Sequence, residues 1–269
     1  MTIAANGITR NHLLRALASD DFSFVAQYLQ RVHLHAGCVL AQVGDRIEFV
    51  CFPEDGVISI ADVYSDGDRV EIGIVGREGL TNASILLGCD VATHDAIVQI
   101  SGGTALCLPT DRLMDLCMRS PDAQAVLLRF VQSFAIQTGR TLASNLRDPV
   151  TRRLARWLLM YHDRIDGDEI RLIHETIGRL LGVRRATITD GLHILESERA
   201  ITGRRGSILI RDRSCLEALA GESYGYAEAH YRRLIGNNES KASRISAPSM
   251  ASSRPRQFLP ERTVSGGIP

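Results

Sequence analysis

The sequence lacks the closely spaced cysteines that hold a metal or a redox couple. Cys38, Cys51, Cys89, Cys107, Cys117 and Cys215 are scattered, with no Cys-x-x-Cys and no histidine at metal-finger spacing. Zinc modules and thioredoxin-like chemistry are thereby excluded, and the six are expected to be small buried hydrophobes of a reducing compartment. No run approaches the roughly 18 apolar residues of a membrane helix, and Met1-Thr2-Ile3-Ala4-Ala5 has neither the basic start nor the apolar centre of a secretory leader. A cytoplasmic protein with no membrane partner is expected. A Gly-x-Ser-x-Gly elbow is missing and the Gly-rich turns lack a P-loop lysine, so neither nucleophilic nor P-loop catalysis is indicated. Lysine is absent from the first 147 residues, where 11 arginines face 16 carboxylates for a net charge of −5. Residues 148–236 carry +2, the segment 171–213 within them +4, and residues 237–269 +3. An acidic front and a basic back fit a sensor joined to a nucleic-acid reader, and 269 residues allow two modest domains.

What is present changes period along the chain. Residues 9–30 read as a short helical pair, with Asp20 or Asp21 as a cap. From Val32 to about Leu108 the apolar residues alternate, in runs such as Val57–Tyr64, Arg69–Val75 and Ala96–Ile100 separated by Gly and Asp turns. Many short strands at such spacing predict a sandwich or barrel-like roll. Helical spacing returns at Thr110–Met118. Ser120 (a good N-cap) and Pro121 then open a long helix to about Asn145. Leu127, Val131, Phe134 and Thr138 make a 4-3-4 seam along it, with Leu128, Ala135 and Leu142 as a second apolar flank. The helix can thus pack on its own roll and on a twin, and the seam is expected to meet the twin. Asp148-Pro149 breaks the chain and is expected to cap a further helix, Val150–Arg164.

The most informative stretch is Ile173–Asp212. Ile177, Leu180 and Leu181 face a core and Gly182 permits a tight exit. Ile188, Leu192 and Leu195 then bury one side of a second helix. Its other side offers Arg184, Arg185, Thr187, Thr189 and His193, all able to hydrogen-bond phosphates or base edges. Two short strands follow around Arg204-Arg205-Gly206, a wing whose arginines suit phosphate contacts beside a groove. That order predicts a winged helix-turn-helix on double-stranded DNA. Beyond Gly236 the Ser-, Pro- and Arg-rich composition predicts disorder.

This arrangement resembles the Crp/Fnr superfamily of bacterial transcription regulators over about residues 12–220. In the front it rests on Gly37-x-x-Leu40-x-x-x-Gly44-Asp45 and Phe52-Pro53-Glu54-Asp55-Gly56. In the back it rests on Leu181-Gly182-Val183-Arg184-Arg185-x-Thr187-Ile188-Thr189 and Arg205-Gly206-Ser207-Ile208-Leu209-Ile210-Arg211-Asp212-Arg213. The resemblance implies an α+β fold. Residues 1–119 would form a double-stranded, jelly-roll-like β-roll sensor of the cyclic-nucleotide-binding type, and 120–147 a dimerisation helix. Residues 148–220 would form the winged domain, with a helical extension to about 236 and a disordered tail over 237–269. It further implies a homodimer on a near-palindromic operator, an unknown small-molecule effector, RNA polymerase as a candidate partner, and no cofactor. Arg185 matches the family's first reader arginine and Thr187 a phosphate contact, and Arg204 sits where the wing touches the backbone. Ala186 and Asp190 replace the family's Glu and second Arg, and Arg184 the usual capping Ser, so base preference does not carry over.

The sensor departs further. Nucleotide-binding members use a Gly-Glu-Leu turn and a later Arg-Ser/Thr-Ala. Here those places read Arg77-Glu78-Gly79-Leu80-Thr81 and His94-Asp95-Ala96. No arginine stands at the phosphate position and Asp95 would repel an anion, so cyclic-nucleotide dependence is the disfavoured alternative. The N-terminal cysteine cluster of the iron–sulfur members is missing. His33-x-His35 invites a metal-dependent cupin-like enzyme as a second alternative, but Glu48 is too far along to complete it, and no metal site is expected.

Overall fold

The front of the chain is pinned by one buried asparagine. Asn11 Oδ1 accepts from the Leu13 and Leu14 amides, both at 3.0 Å, and so opens α1 (His12–Arg15). Its amide group donates to Pro53 O at 2.9 Å and Gly79 O at 2.8 Å, tying the helix to two turns of the sheet. The computed structural model describes residues 9–65, 67–100 and 103–236. The expected tail over 237–269 lies outside them. Helix α2 (Ser19–Ala26) begins after Ala18 with no side-chain cap. Asp20 and Asp21 therefore sit in its first turn, favoured by the helix dipole, and do not cap it as expected.

The alternating region folds as two antiparallel sheets. Strands β1 (Gln30–Leu34), β3 (Phe49–Pro53) and β7 (Gly103–Pro109) form one, in the order β1-β7-β3. Strands β2 (Val39–Ala41), β4 (Val57–Val63), β5 (Arg69–Val75) and β6 (Asp95–Ile100) form the other, in the order β2-β6-β4-β5. Leu34, Phe52, Ile58, Leu106 and Leu108 fill the space between them, each at most 1 % exposed. The cysteine expectation fails here. Cys51 and Cys107 lie directly opposite one another on β3 and β7 and form a disulfide, and Cys38 is exposed. Only Cys117 remains a buried free thiol among them, its acidity lowered by desolvation.

Helix α3 (Thr110–Arg119) leads into α4 (Pro121–Arg147), 27 residues long. Ser120 Oγ caps α4 by accepting from Ala123 N at 3.2 Å, and Pro121 occupies its first turn, as the sequence predicts. Ala123, Val126, Leu127, Phe130, Ser133 and Gln137 are buried along its roll-facing side. The expected twin-facing seam needs correction. Leu127 is 1 % exposed in its own core, and the Phe134 ring packs on the roll at Gly73, where an added Cβ would come within 2.9 Å of it. Thr138 donates its hydroxyl back to Phe134 O. Val131, Phe134 and Thr138 are half-buried, so of the predicted four Leu127 alone is closed to a partner. The outward apolar positions are instead Leu128, Val131, Ala135, Leu142 and Leu146, with Leu142 at 60 % and Leu146 at 81 % exposure.

Pro149 stands at the N-cap of α5 (Val150–His162) with no side-chain cap. The expected cap, Asp148, accepts instead from Ser223 and pairs with Arg152 at 3.6 Å. A second core follows, built from Leu154, Leu158, Ile177, Ile188, Leu195, Ile208 and Leu216, all fully buried. Strand β8 (Glu169–Ile170), α6 (His174–Leu181), α7 (Arg185–Ser197), β9 (Ile201–Arg204), β10 (Ser207–Ile210) and α8 (Arg213–Ala220) surround it, with the sheet ordered β8-β10-β9. Helix α9 (Tyr226–Leu234) then returns to the front half. Tyr231 OH donates to Glu78 O at 2.8 Å, and Ile235 enters the roll's core.

Edge strand β5 touches every module. Gln137 of α4 pairs with the Ile74 backbone through both its amide atoms, at 2.8 and 3.2 Å, as an added strand would. Val70 packs near Gly182 at the α6 exit. Glu71 accepts from Trp157 and Tyr161 of α5. No helix of the described residues is long and apolar enough to cross a membrane.

Candidate nucleic-acid interface

The corner between α6 and α7 is built for close approach. Gly182 has φ +64°, and Val183 N bonds Gly178 O at 2.8 Å. A Cβ on Gly178 would lie 2.9 Å from Val183 O, so the turn folds tightly only with glycine there. Ile177, Leu180, Leu181, Ile188, Leu192 and Leu195 are all buried, as their spacing predicts. The opposite face of α7 is open: Arg184, Arg185, Ala186, Asp190, His193 and Ile194 are exposed and Thr187 half-buried. Arg184 holds the N-cap position without a side-chain hydrogen bond to the helix. The first amide N–H groups are thus left for an anion beside two guanidinium groups, the chemistry that grips a DNA phosphate.

Two of the predicted contacts are partly engaged within the protein. Thr189 donates to Arg185 O at 3.1 Å and, with its lone pair, meets His174 Nδ1 at 3.1 Å, so it braces α6 against α7 and does not face outward freely. Desolvation, together with the positive charge of Arg185 and His193, holds His174 below the usual histidine value and favours its neutral form. His193 is exposed but lies 3.3 Å from Glu196. Glu196 also accepts from Gly203 N at 2.5 Å, fastening the wing to the reading helix. His174 and Glu196 have no distinguishing sequence signal, because each acts on a residue from a separate element. At the wing, Gly206 has φ +78°, and Arg204 and Arg205 are exposed. Arg204 lies 3.8 Å from Glu169.

In the roll, a cavity of about 210 Å3 lies between the sheet and α4, lined by Ile60, Val75, Leu80, His94, Phe130 and Phe134 among others. No arginine or lysine lines it. The view of Asp95 as a bare repelling carboxylate is corrected. Asp95 is 2 % exposed, pairs with Arg69 at 2.8 Å and accepts from Val43 N at 2.9 Å. Arg77 is likewise taken, by Asp166 at 2.8 Å. Both cations are thus already paired with a carboxylate, although the buried Arg77 Nε has no hydrogen-bond partner. His33 and His35 are exposed, and no group of three metal-ligating side chains gathers among the described residues.

Residues 31–120 match the profile of the cyclic nucleotide-binding domain, and residues 152–219 that of the Crp-like helix-turn-helix domain, together more than half of the chain and in this order. The chain belongs to the Crp/Fnr superfamily of transcription regulators. Solved structures share its fold. FixK2 from Bradyrhizobium japonicum is 16% identical with a TM-score of 0.63, covering 72% of this chain and 98% of that one. A CRP-family transcriptional regulator from Thermus thermophilus is 16% identical with a TM-score of 0.60, covering 72% and 97%. The c-di-GMP-responsive global regulator CLP of Xanthomonas campestris is 16% identical with a TM-score of 0.58, covering 72% and 99%. No curated protein sequence matches significantly. In this Crp/Fnr member the cyclic nucleotide-binding fold is thus retained while no cation lines its roll cavity.

Proposed function

We propose that this regulator acts in the cytoplasm as a homodimer, reads a near-palindromic operator with two copies of α7, and catalyses no reaction. The observation that carries this is the open α7 face, with Arg184 and Arg185 exposed at an uncapped helix start beside the Arg204–Arg205 wing. The outward apolar line Leu128, Val131, Ala135, Leu142 and Leu146 on α4 supports pairing with a second copy. RNA polymerase is the protein that the DNA-bound dimer would assist or obstruct. The apolar roll cavity suits an uncharged effector, whose arrival against Phe130 and Phe134 would shift α4 and, through β5, the reading helices.

Selection of bound duplexes from a random DNA pool tests this. An inverted repeat with half-site centres about 34 Å, or roughly 10 bp, apart is expected. Enrichment of no motif, or of a single unrepeated half-site, would count against it. On the selected duplex, Arg185→Ala is expected to cost about 1–3 kcal/mol of specific binding and less of non-specific binding, through loss of a base-edge contact. Arg204→Ala is expected to weaken both alike, because a phosphate contact carries no sequence information. Gel shifts on specific and scrambled DNA separate the two; equal ratios would reverse this division of roles.

Cyclic AMP and cyclic GMP are expected to leave operator affinity unchanged. Burying their phosphate needs a cation, and none lines the cavity. A calorimetric titration giving a micromolar dissociation constant would contradict this and mean that Arg69 or Arg77 abandons its carboxylate.

A further inference from the structure

Glu71 of the roll is buried where β5 meets the DNA-reading half. Ile60 of β4 pairs with Gly73 while Ala61 pairs with Glu71, so Ile72 is the extra residue of a bulge beside it. Such a kink re-aims the neighbouring side chain. Glu71 Oε1 accepts from Trp157 Nε1 and Oε2 from Tyr161 OH, both at 2.8 Å, and the two rings stack with centroids 3.9 Å apart. These two uncharged donors are the contacts that Glu71 makes across the domain boundary, beside the Arg164–Glu78 and Arg77–Asp166 ion pairs.

The nearby cations spend their hydrogen bonds elsewhere. Arg153 of α5 serves Asn145 of α4 and Leu181 O of α6, and Arg156 of α5 serves Thr141 of α4 and Ser223 O. Arg164, just past α5, serves Glu78 and Met160 O. From α6, the residues lining this cleft are Leu180 and Leu181, which carry no charge. From β4, the buried Ser59 hydroxyl lies within hydrogen-bonding reach of Glu71, and a hydroxyl can either donate to the carboxylate or accept the proton of the acid.

We propose that Glu71 is a proton-operated latch between the two halves, which holds the winged domain on the roll while neutral and frees it when ionised. This rests on reading the back half as the operator-binding domain. A buried carboxylate whose hydrogen bonds all come from uncharged donors is costly to ionise even with the Arg164 charge nearby, and release into water removes that cost. Burial pushes Glu71 up to about 7 from 4.5, against the lowering effect of its hydrogen bonds. Docking therefore takes up a proton. Its advantage is complete below the free carboxyl's value, falls as pH rises through about 7, and is lost above it.

Trp157 is the chain's single tryptophan, so its emission reports on the latch directly. In the full-length protein, titration from about pH 5.5 to 9 is expected to show a one-proton transition near pH 7. Glu71→Gln should abolish it. Tyr161→Phe, which removes one donor to the charged form, should move it to higher pH. Operator affinity at low and high pH should differ by at least about threefold in the wild type, and by much less in Glu71→Gln. A flat wild-type emission overturns the latch, as does the same transition in Glu71→Gln or equal pH dependence of DNA binding in both. A transition lost in Glu71→Gln, in a protein that binds no DNA at any pH, would uphold the latch and refute the operator reading instead.

Discussion

Leu142→Glu combined with Leu146→Glu is expected to give a folded monomer whose operator affinity is lower by about 100-fold or more, roughly 2.7 kcal/mol. Both side chains stand on the last turns of α4 with 60 % and 81 % of their surface exposed, so neither supports the protomer's own core. Four carboxylates brought together across a twofold axis would repel and would also bury charge without a partner. Binding would then fall to one half-site per chain, losing the second set of phosphate and base contacts. Sedimentation equilibrium and gel shifts measure both effects. A double variant that remains dimeric places the twin contact elsewhere, and a monomer with full affinity removes the need for one.

Gly79→Ala is expected to destabilise the protein by about 1–3 kcal/mol or more, the cost of overpacking a filled core. The Phe130 ring of α4 seats on this glycine so closely that an added Cβ would fall 2.1 Å from Cε2 and 2.3 Å from Cζ. Neither the ring nor the turn can give by that much without lifting α4 from the roll. Phe130→Leu in the same chain should restore part of the loss, because the two positions share one space and cannot act additively. Chemical denaturation of the single and double variants checks this. A neutral Gly79→Ala would mean that α4 packs more loosely than its buried Ala123, Leu127 and Phe130 indicate.

The winged domain was legible because its signals are local. Leu180, Leu181 and Gly182 end one helix and Ile188, Leu192 and Leu195 space the next, so each residue's role follows from neighbours a few positions away. The α4 cap was legible for the same reason. Its faces were not, since the helix carries apolar residues on more than one side. Leu127 and Leu128 differ by a single step of about 100°, enough to turn one inward and leave the other toward the outside. Pairing of Cys51 with Cys107 depends on the β3–β7 register across 56 residues, which no spacing rule reveals. Thr189 reads as a DNA contact until His174, 15 residues earlier, is seen to meet it. Asn11, Glu71 and Gln137 carry no signal in the sequence because their partners are backbone groups or rings of remote segments. Asp95 is visible in the sequence as a charge, but only tertiary structure supplies Arg69 beside it.

Two chains are expected to present α7 symmetrically to one duplex. Hydroxyl-radical footprinting of the selected operator, with the bound mass determined on the same sample, measures this most directly. Two chains per duplex and two equivalent protected regions related by a dyad, with centres roughly 10 bp apart, are expected. One chain per duplex with a single asymmetric footprint would contradict it.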